Sequence, residues 1–240
     1  MHILITRPRE NVTYLVDQLE GLGHQVMVDP LINFVSIPKQ SLSLPSVSSF
    51  EAIVTTSQQA IRRLAHLTPQ RDFPLWCVGE ESAKIAEELG FKNIHKAEGT
   101  AENLMAQLLE RIPLFLQKPI LHASGDVIRV NITEALQSKG IAAQRLIVYK
   151  TREATHFSRE TQGALKAKNL NAVLFYSPRT AHIFKKICQI SGFEEYCSSL
   201  TALCLSEAIK AEIIDLPWKK IQIAKKTSTD ALLMILMMAE

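Results

Sequence analysis

The sequence predicts an α/β protein made of two parallel-sheet lobes, the first of them discontinuous in sequence. Three observations predict it. Short apolar runs alternate with amphipathic helical stretches along all 240 residues, the pattern of parallel strands covered by helices on both faces. Ten such runs are too many for one ordinary doubly wound sheet and suit two sheets of five. Finally, the strand–turn–helix unit at 50–67, FEAIVTTSQQAIRRLAHL, returns at 171–187 as NAVLFYSPRTAHIFKKI, with Ala52 matching Ala172 and Ser57 matching Ser177.

Residues 2–6, HILIT, form the first strand, and Arg7-Pro8 turns the chain toward a helix, where proline suits the first position. Val12, Leu15, Val16, Leu19 and Leu22 mark the inner face of that helix, Gly21 and Gly23 end it, and a strand follows at 25–28. Residues 30–49, rich in proline and serine, are a connector with 31–37 extended. In the unit at 50–67, Ala52-Ile53-Val54 is the strand and Thr55-Thr56-Ser57 the polar turn. Ala60, Ile61, Leu64 and Leu67 recur at helical spacing, and Ser57 is a natural N-cap for an unpaired amide of the first turn.

A strand at 75–78 leads through Gly79-Glu80-Glu81-Ser82 into a helix at 83–89. Then come a short strand at 93–96, a helix at 101–111 and a strand at 119–122. Ser124-Gly125-Asp126 reads as a turn before a helix at 127–139, and the strand at 143–149 runs on to Arg152. A polar helix at 156–168 precedes the repeated unit. The chain closes with a strand at 201–205, a helix opened by Ser206-Glu207, a strand at 220–224 and a helix through 231–239 capped by Ser228-Thr229-Asp230.

A second internal likeness sets the lobes. The segment from Ile3 resembles the one from Ile120, with Leu4 on Leu121, Leu15 on Ile132, Leu19 on Leu136 and Gly23 on Gly140. Short and long units therefore alternate. Residues 38–148 close one inserted lobe, while 1–35 and 153–240 form the other, with linker strands near 30–37 and 147–153.

Composition narrows the function. Apolar residues make up 47% and charged residues 21%, enough for a core and against disorder. A net charge of +3 argues against a nucleic-acid surface and is compatible with a small anionic ligand. The four cysteines, Cys77, Cys188, Cys197 and Cys204, form no C-x-x-C pair and read as buried thiols of a reducing cytoplasm. The apolar tract at 231–239 is far short of the roughly 20 residues that span a bilayer, so no membrane partner is expected. The seven histidines show no metal spacing, and no dinucleotide or P-loop glycine motif is present. His122 follows a strand and reads as structural rather than catalytic.

In open α/β sheets ligands gather beyond the carboxyl ends of the strands. Those ends carry Arg7, Thr56, Ser57, Gly79, Ser124, Ser177 and Ser206, mostly in turns that open helices. Free amides at helix starts suit carboxylates or phosphates, although plain capping accounts for each turn singly. If the lobes face each other, these turns line one cleft. Tyr149 ends the apolar strand Leu146-Ile147-Val148 just where the chain leaves one lobe for the other. Its hydroxyl is placed either to enter that cleft or simply to pack at the crossover.

Several motifs then carry a resemblance over essentially the whole chain: ILITRP at 3–8, TTS at 55–57, VGEESA at 78–83, VYKTR at 148–152, LFYSP at 174–178 and CLSE at 204–207. In order and spacing they resemble the uroporphyrinogen-III synthase family. The resemblance implies two flavodoxin-like lobes joined by a two-stranded β linker. It implies an enzyme, a cyclising hydro-lyase of haem biosynthesis, that converts hydroxymethylbilane to uroporphyrinogen III with inversion of ring D and loss of water, without metal or cofactor. Tyr149 falls on the family's candidate acid, and Ser57 and Ser177 on its strand-end hydroxyls. At 206–209 the chain reads Ser-Glu-Ala-Ile, so a threonine sometimes considered functional there has no counterpart. A transient contact with hydroxymethylbilane synthase is a further expectation. The alternatives are a non-catalytic two-lobe anion-binding or sensor protein and a flavin-binding protein.

Overall fold

Eleven strands and nine α-helices form among the described residues of the computed structural model, which are 1–42, 45–111 and 117–237. The chain starts with β1 (His2–Ile5), α1 (Thr13–Gly21), β2 (Gln25–Val28) and β3 (Ile32–Ser36). It continues through β4 (Ala52–Thr55), α2 (Gln58–Leu67), β5 (Leu75–Val78), α3 (Glu80–Glu88), β6 (Ile94–Ala97) and α4 (Ala101–Arg111). Next come β7 (Ile120–Gly125), α5 (Ile132–Gln137), β8 (Ala143–Glu153) and α6 (Arg159–Lys166). The last elements are β9 (Ala172–Phe175), α7 (Pro178–Ser191), β10 (Thr201–Cys204), α8 (Glu207–Ile213), β11 (Lys220–Ile223) and α9 (Thr229–Met237). Two units separate: Met1–Asn33 with Arg152–Glu240, and Phe34–Thr151.

The first unit holds a five-stranded sheet in the order β11-β10-β9-β1-β2, parallel at each of its four pairings. Period-two alternation sorts its side chains. Leu4, Val173, Phe175, Ala202 and Cys204 pack with Phe157, Leu165 and Phe184 on one face. Ile3, Ile5, Ala172, Leu174 and Leu203 pack with Leu15 and Leu19 of α1 and Leu232 and Leu236 of α9 on the other. Both faces are dry, which is why the strands read as nearly continuous apolar runs.

The second unit is organised the same way around the order β3-β8-β7-β4-β5-β6. Ile53, Leu75, Leu121 and Ala123 meet α2 and α3 on one face, while Val54, Trp76 and Ile120 meet α4 and α5 on the other. This sheet has six strands rather than five, because the extended stretch after Leu31 joins as β3 beside β8. Arg71 fastens the far end of this unit. Its guanidinium donates to the carbonyls of Ala65, Thr68, Gln70 and Leu89 and lies 4.9 Å above the Phe91 ring.

Several local expectations are corrected. Ser124 and Gly125 belong to β7 rather than to a turn, because pairing with β8 carries the strand three residues further than its apolar run. The helix expected over 127–139 is only α5; the chain bends first, and the Asn131 side chain caps the helix at Glu134. The helix expected at 83–89 starts at Glu80, immediately after Gly79, whose φ of 82° is open to glycine. Pro8 precedes a short 3-10 turn at Arg9–Asn11 instead of opening α1. The end of the expected last helix, 238–239, lies outside the described residues. The repeated unit at 50–67 and 171–187 is reproduced down to its caps: Ser57 accepts from the Ala60 amide and Ser177 from the Thr180 amide.

Candidate active site

At the carboxyl end of the second unit's sheet lies a cleft of about 690 Å³. Thr56, Ser57, Gly99, Thr100, Gly125 and Tyr149 line it, with Ser124 and residues 127–130. Four residues anticipated from sequence, Thr56, Ser57, Ser124 and Tyr149, are thus brought together. Their positions follow from local rules. The Thr55 hydroxyl accepts from the Ser57 amide at 3.1 Å, which holds Ser57 in extended backbone at the mouth of α2. Its Oγ then accepts from the Ala60 amide at 3.3 Å.

Tyr149 reaches the same point from β8. Its Oη is 2.8 Å from Ser57 Oγ, and either hydroxyl can donate. When Ser57 donates, Tyr149 keeps its own hydrogen for a second acceptor. The residue is only 7% exposed, and its ring meets Phe34 edge-on with centroids 5.3 Å apart. A phenol in this setting has an apolar body and a polar tip at the cleft. Arg63 of α2 donates from Nε to the Val148 carbonyl at 3.2 Å and from its terminal nitrogen to the Ile37 carbonyl at 2.5 Å.

Beside the cleft, Arg145 donates to Ser124 Oγ at 2.9 Å and to the carbonyls of Gly125 and Asp126 at 2.7 and 2.9 Å. Asp126 in turn accepts from the Thr151 amide and hydroxyl and from the Val127 amide. Burial works against the charge on Asp126, but these hydrogen bonds outweigh it and hold the carboxyl below the usual aspartate range. His122 sits below, 1% exposed, with Nδ1 3.2 Å from the Thr133 hydroxyl. Burial, reinforced by the Arg145 charge, pushes its pKa down to about 4. It is a neutral core histidine and does not line the cleft.

Two anticipated groups are already engaged within the second unit. The Gly79 amide, expected to be free, donates to the Ala97 carbonyl at 2.9 Å. The Ser124 hydroxyl donates to the Gly125 carbonyl and accepts from Arg145, and the residue is 4% exposed. The remaining three belong to the first unit. Arg7 lies 4.4 Å above the Tyr176 ring; burial raises the Tyr176 pKa against the opposing effects of Arg7 and Thr229. Ser177 caps α7 and touches the Thr180 hydroxyl. Ser206 precedes α8 without a side-chain cap.

Sequence reasoning missed Arg63, Arg145 and Phe34, whose contacts join residues 19 to 115 positions apart on the chain. Among the described residues, no group of three or more His, Cys, Asp or Glu side chains is placed to hold a metal ion. Among them also, no helix is long and apolar enough to cross a membrane.

Known proteins resemble this chain throughout. The family model described as uroporphyrinogen-III synthase HemD matches residues 14–234. A curated relative, the porphyrin biosynthesis protein HemD of Ruminiclostridium josui, is 25% identical over 224 residues, covering 85% of this chain and 42% of that protein. The chain therefore spans less than half the length of that relative. The solved uroporphyrinogen-III synthetase of Helicobacter pylori has a TM-score of 0.68 at 19% identity, covering 100% of this chain and 99% of the other. A triple mutant of the uroporphyrinogen III synthase of Thermus thermophilus has a TM-score of 0.55 at 14% identity, covering 100% and 98%. These two likenesses establish the α/β fold.

Proposed function

We propose a function from the premise that this chain belongs to the uroporphyrinogen-III synthase family: it closes hydroxymethylbilane to uroporphyrinogen III, inverting ring D and releasing one water. The observation that carries the reading is the Tyr149 hydroxyl, held by Ser57 in a cleft able to admit part of a flexible chain.

The chemistry needs an acid and a mould. The substrate's hydroxymethyl oxygen leaves as water once protonated, and the bilane becomes an azafulvene cation. Tyr149 is the group proposed to give that proton. The cation is attacked by the substituted carbon of ring D, and the resulting spiro intermediate fragments and recloses with ring D reversed. Closure without a protein gives the non-inverted isomer, so most of the task is holding one conformation. From the second unit the Thr56 hydroxyl is proposed to bind a substrate carboxylate, while Ser57, at the same cleft edge, gives its one hydrogen to Tyr149. Arg7, Ser177 and Ser206 are proposed as carboxylate contacts of the first unit. Gly79 and Ser124 have the weaker claim, because an amide and a hydroxyl there already have protein partners.

Four unpaired, buried cysteines support a reducing, cytoplasmic setting. A substrate that closes unaided supports hand-over through transient contact with hydroxymethylbilane synthase. The decisive experiment adds freshly made hydroxymethylbilane to the protein and resolves the oxidised products by isomer. The type III isomer is expected. Type I alone, at the rate without protein, overturns the proposed activity and favours an anion-binding protein.

A further inference from the structure

Gly125 needs an explanation that its backbone does not supply. It ends β7 without the positive φ that favours glycine, so the strand conformation would admit any residue. What it lacks is space. A Cβ built there would stand 2.6 Å from Tyr149 Cζ, 2.7 Å from Cε2 and 2.8 Å from Oη. The hydroxyl end of the ring therefore lies directly against Gly125 at the end of β7. It has little freedom to yield, since Phe34 meets it edge-on and Ser57 holds its hydroxyl.

The neighbouring strand is built to bring the ring there. Pairing runs from Ser124 with Ile147 to Gly125 with Tyr149, so Val148 is an extra residue in β8. Strict alternation would place Leu146 and Tyr149, three apart, on opposite faces. The bulge instead puts both in the same core cluster. It is pinned on either side. Arg63 donates to the carbonyl of Val148, and the Asp126 amide donates to the carbonyl of Tyr149 at 3.1 Å.

We infer that Gly125 is a positioning residue: together with the one-residue bulge at Val148, its missing side chain seats the Tyr149 ring so that the hydroxyl meets Ser57 at the cleft. The seat stands on geometry alone, and its effect on turnover rests on the proposed function. Any side chain at 125 lifts the ring away from the Ser57 hydroxyl. A displacement of about 1 Å at a reacting group is enough to slow a reaction about 10²-fold.

The test uses the full chain labelled with ¹³Cζ-tyrosine. The four tyrosines give four signals, and Tyr149→Phe identifies one of them. Gly125→Ala is expected to move the Tyr149 signal and leave those of Tyr14, Tyr176 and Tyr196 in place. Formation of the type III isomer should fall about 10²-fold in kcat with KM nearly unchanged. A Tyr149 signal that stays put in Gly125→Ala overturns the inference. If Gly125→Ala folds poorly, Gly125→Ala/Tyr149→Leu decides, because leucine clears the space the Cβ needs. That double variant should match Tyr149→Leu alone in denaturant midpoint. An equal loss in both backgrounds overturns the seat. The spectral and stability readouts do not depend on turnover, so an inactive wild-type chain would remove the proposed function and leave the seat standing.

Discussion

The hydroxyl oxygen of Tyr149 lies 2.8 Å from that of Ser57, although 92 residues separate them. Ser57 is at once the cap of α2 and the partner of the proposed acid, so helix stability and site geometry meet in one oxygen. Removing the phenol alone tests the second role. Tyr149→Phe should lower type III isomer formation about 10²-fold, the lower range for a lost general acid. Its circular dichroism should match the wild type. Undiminished type III formation would remove Tyr149 from the mechanism.

The two roles of Ser57 separate by substitution. Ser57→Ala should cost about 1 kcal/mol of stability, as a lost N-cap does, and also slow turnover. Ser57→Asp should keep the midpoint of denaturation, since aspartate caps well. It should still lose activity, because it sets a negative charge where substrate carboxylates are proposed to lie. Equal activity in Ser57→Asp and the wild type would show that the cleft does not receive an anion.

His122 makes stability depend on pH. Its folded pKa of about 4 lies below the ordinary 6.5, so the unfolded chain binds more protons between those values. The contribution is complete above pH 6.5 and is lost as pH falls toward 4, about 3 kcal/mol over the window. Denaturation of His122→Gln from pH 7 to 4 should give a shallower acid limb than the wild type. Identical limbs would place the effect elsewhere.

Arg71 should prove structural. It serves four carbonyls with one guanidinium, and Arg71→Ala leaves those acceptors short of a charged donor. A loss of about 2–3 kcal/mol is expected in urea denaturation. Arg71→Lys should recover only part of it, because an ammonium lacks the planar fork.

The thiols should be silent in the folded protein. All four cysteines are buried, and burial pushes the pKa of Cys77 up to about 11 and that of Cys204 up to about 12. A thiol-reactive dye should label none in native buffer and four in denaturant. Rapid native labelling would contradict the packing of β5 and β10.

Local physics was readable in the chain, and position shows how far. Ser57 and Ser177 were legible as caps because the acceptor and its amide lie three residues apart. The strands were legible from continuous apolar runs such as Ile53-Val54 and Leu174-Phe175, whereas the face each side chain meets came from the packing. Ser124-Gly125-Asp126 has a turn-like composition, but pairing with β8 makes Ser124 and Gly125 strand and leaves only Asp126 in the bend that follows. Gly79 was misjudged for the same reason: its amide is taken by Ala97, 18 residues further on.

The amino-acid order by itself determined alternating strands and helices, their buried stripes, the repeated capped unit and a tyrosine closing the apolar part of a long strand. These depend on neighbours within one or two turns, and their periods are written in the chain. Only the tertiary structure decided that Tyr149 lies on Gly125, backed by Phe34 and bonded to Ser57. Those contacts depend on one extra residue in the pairing of β8 with β7, and a shift of one residue turns a side chain to the opposite face.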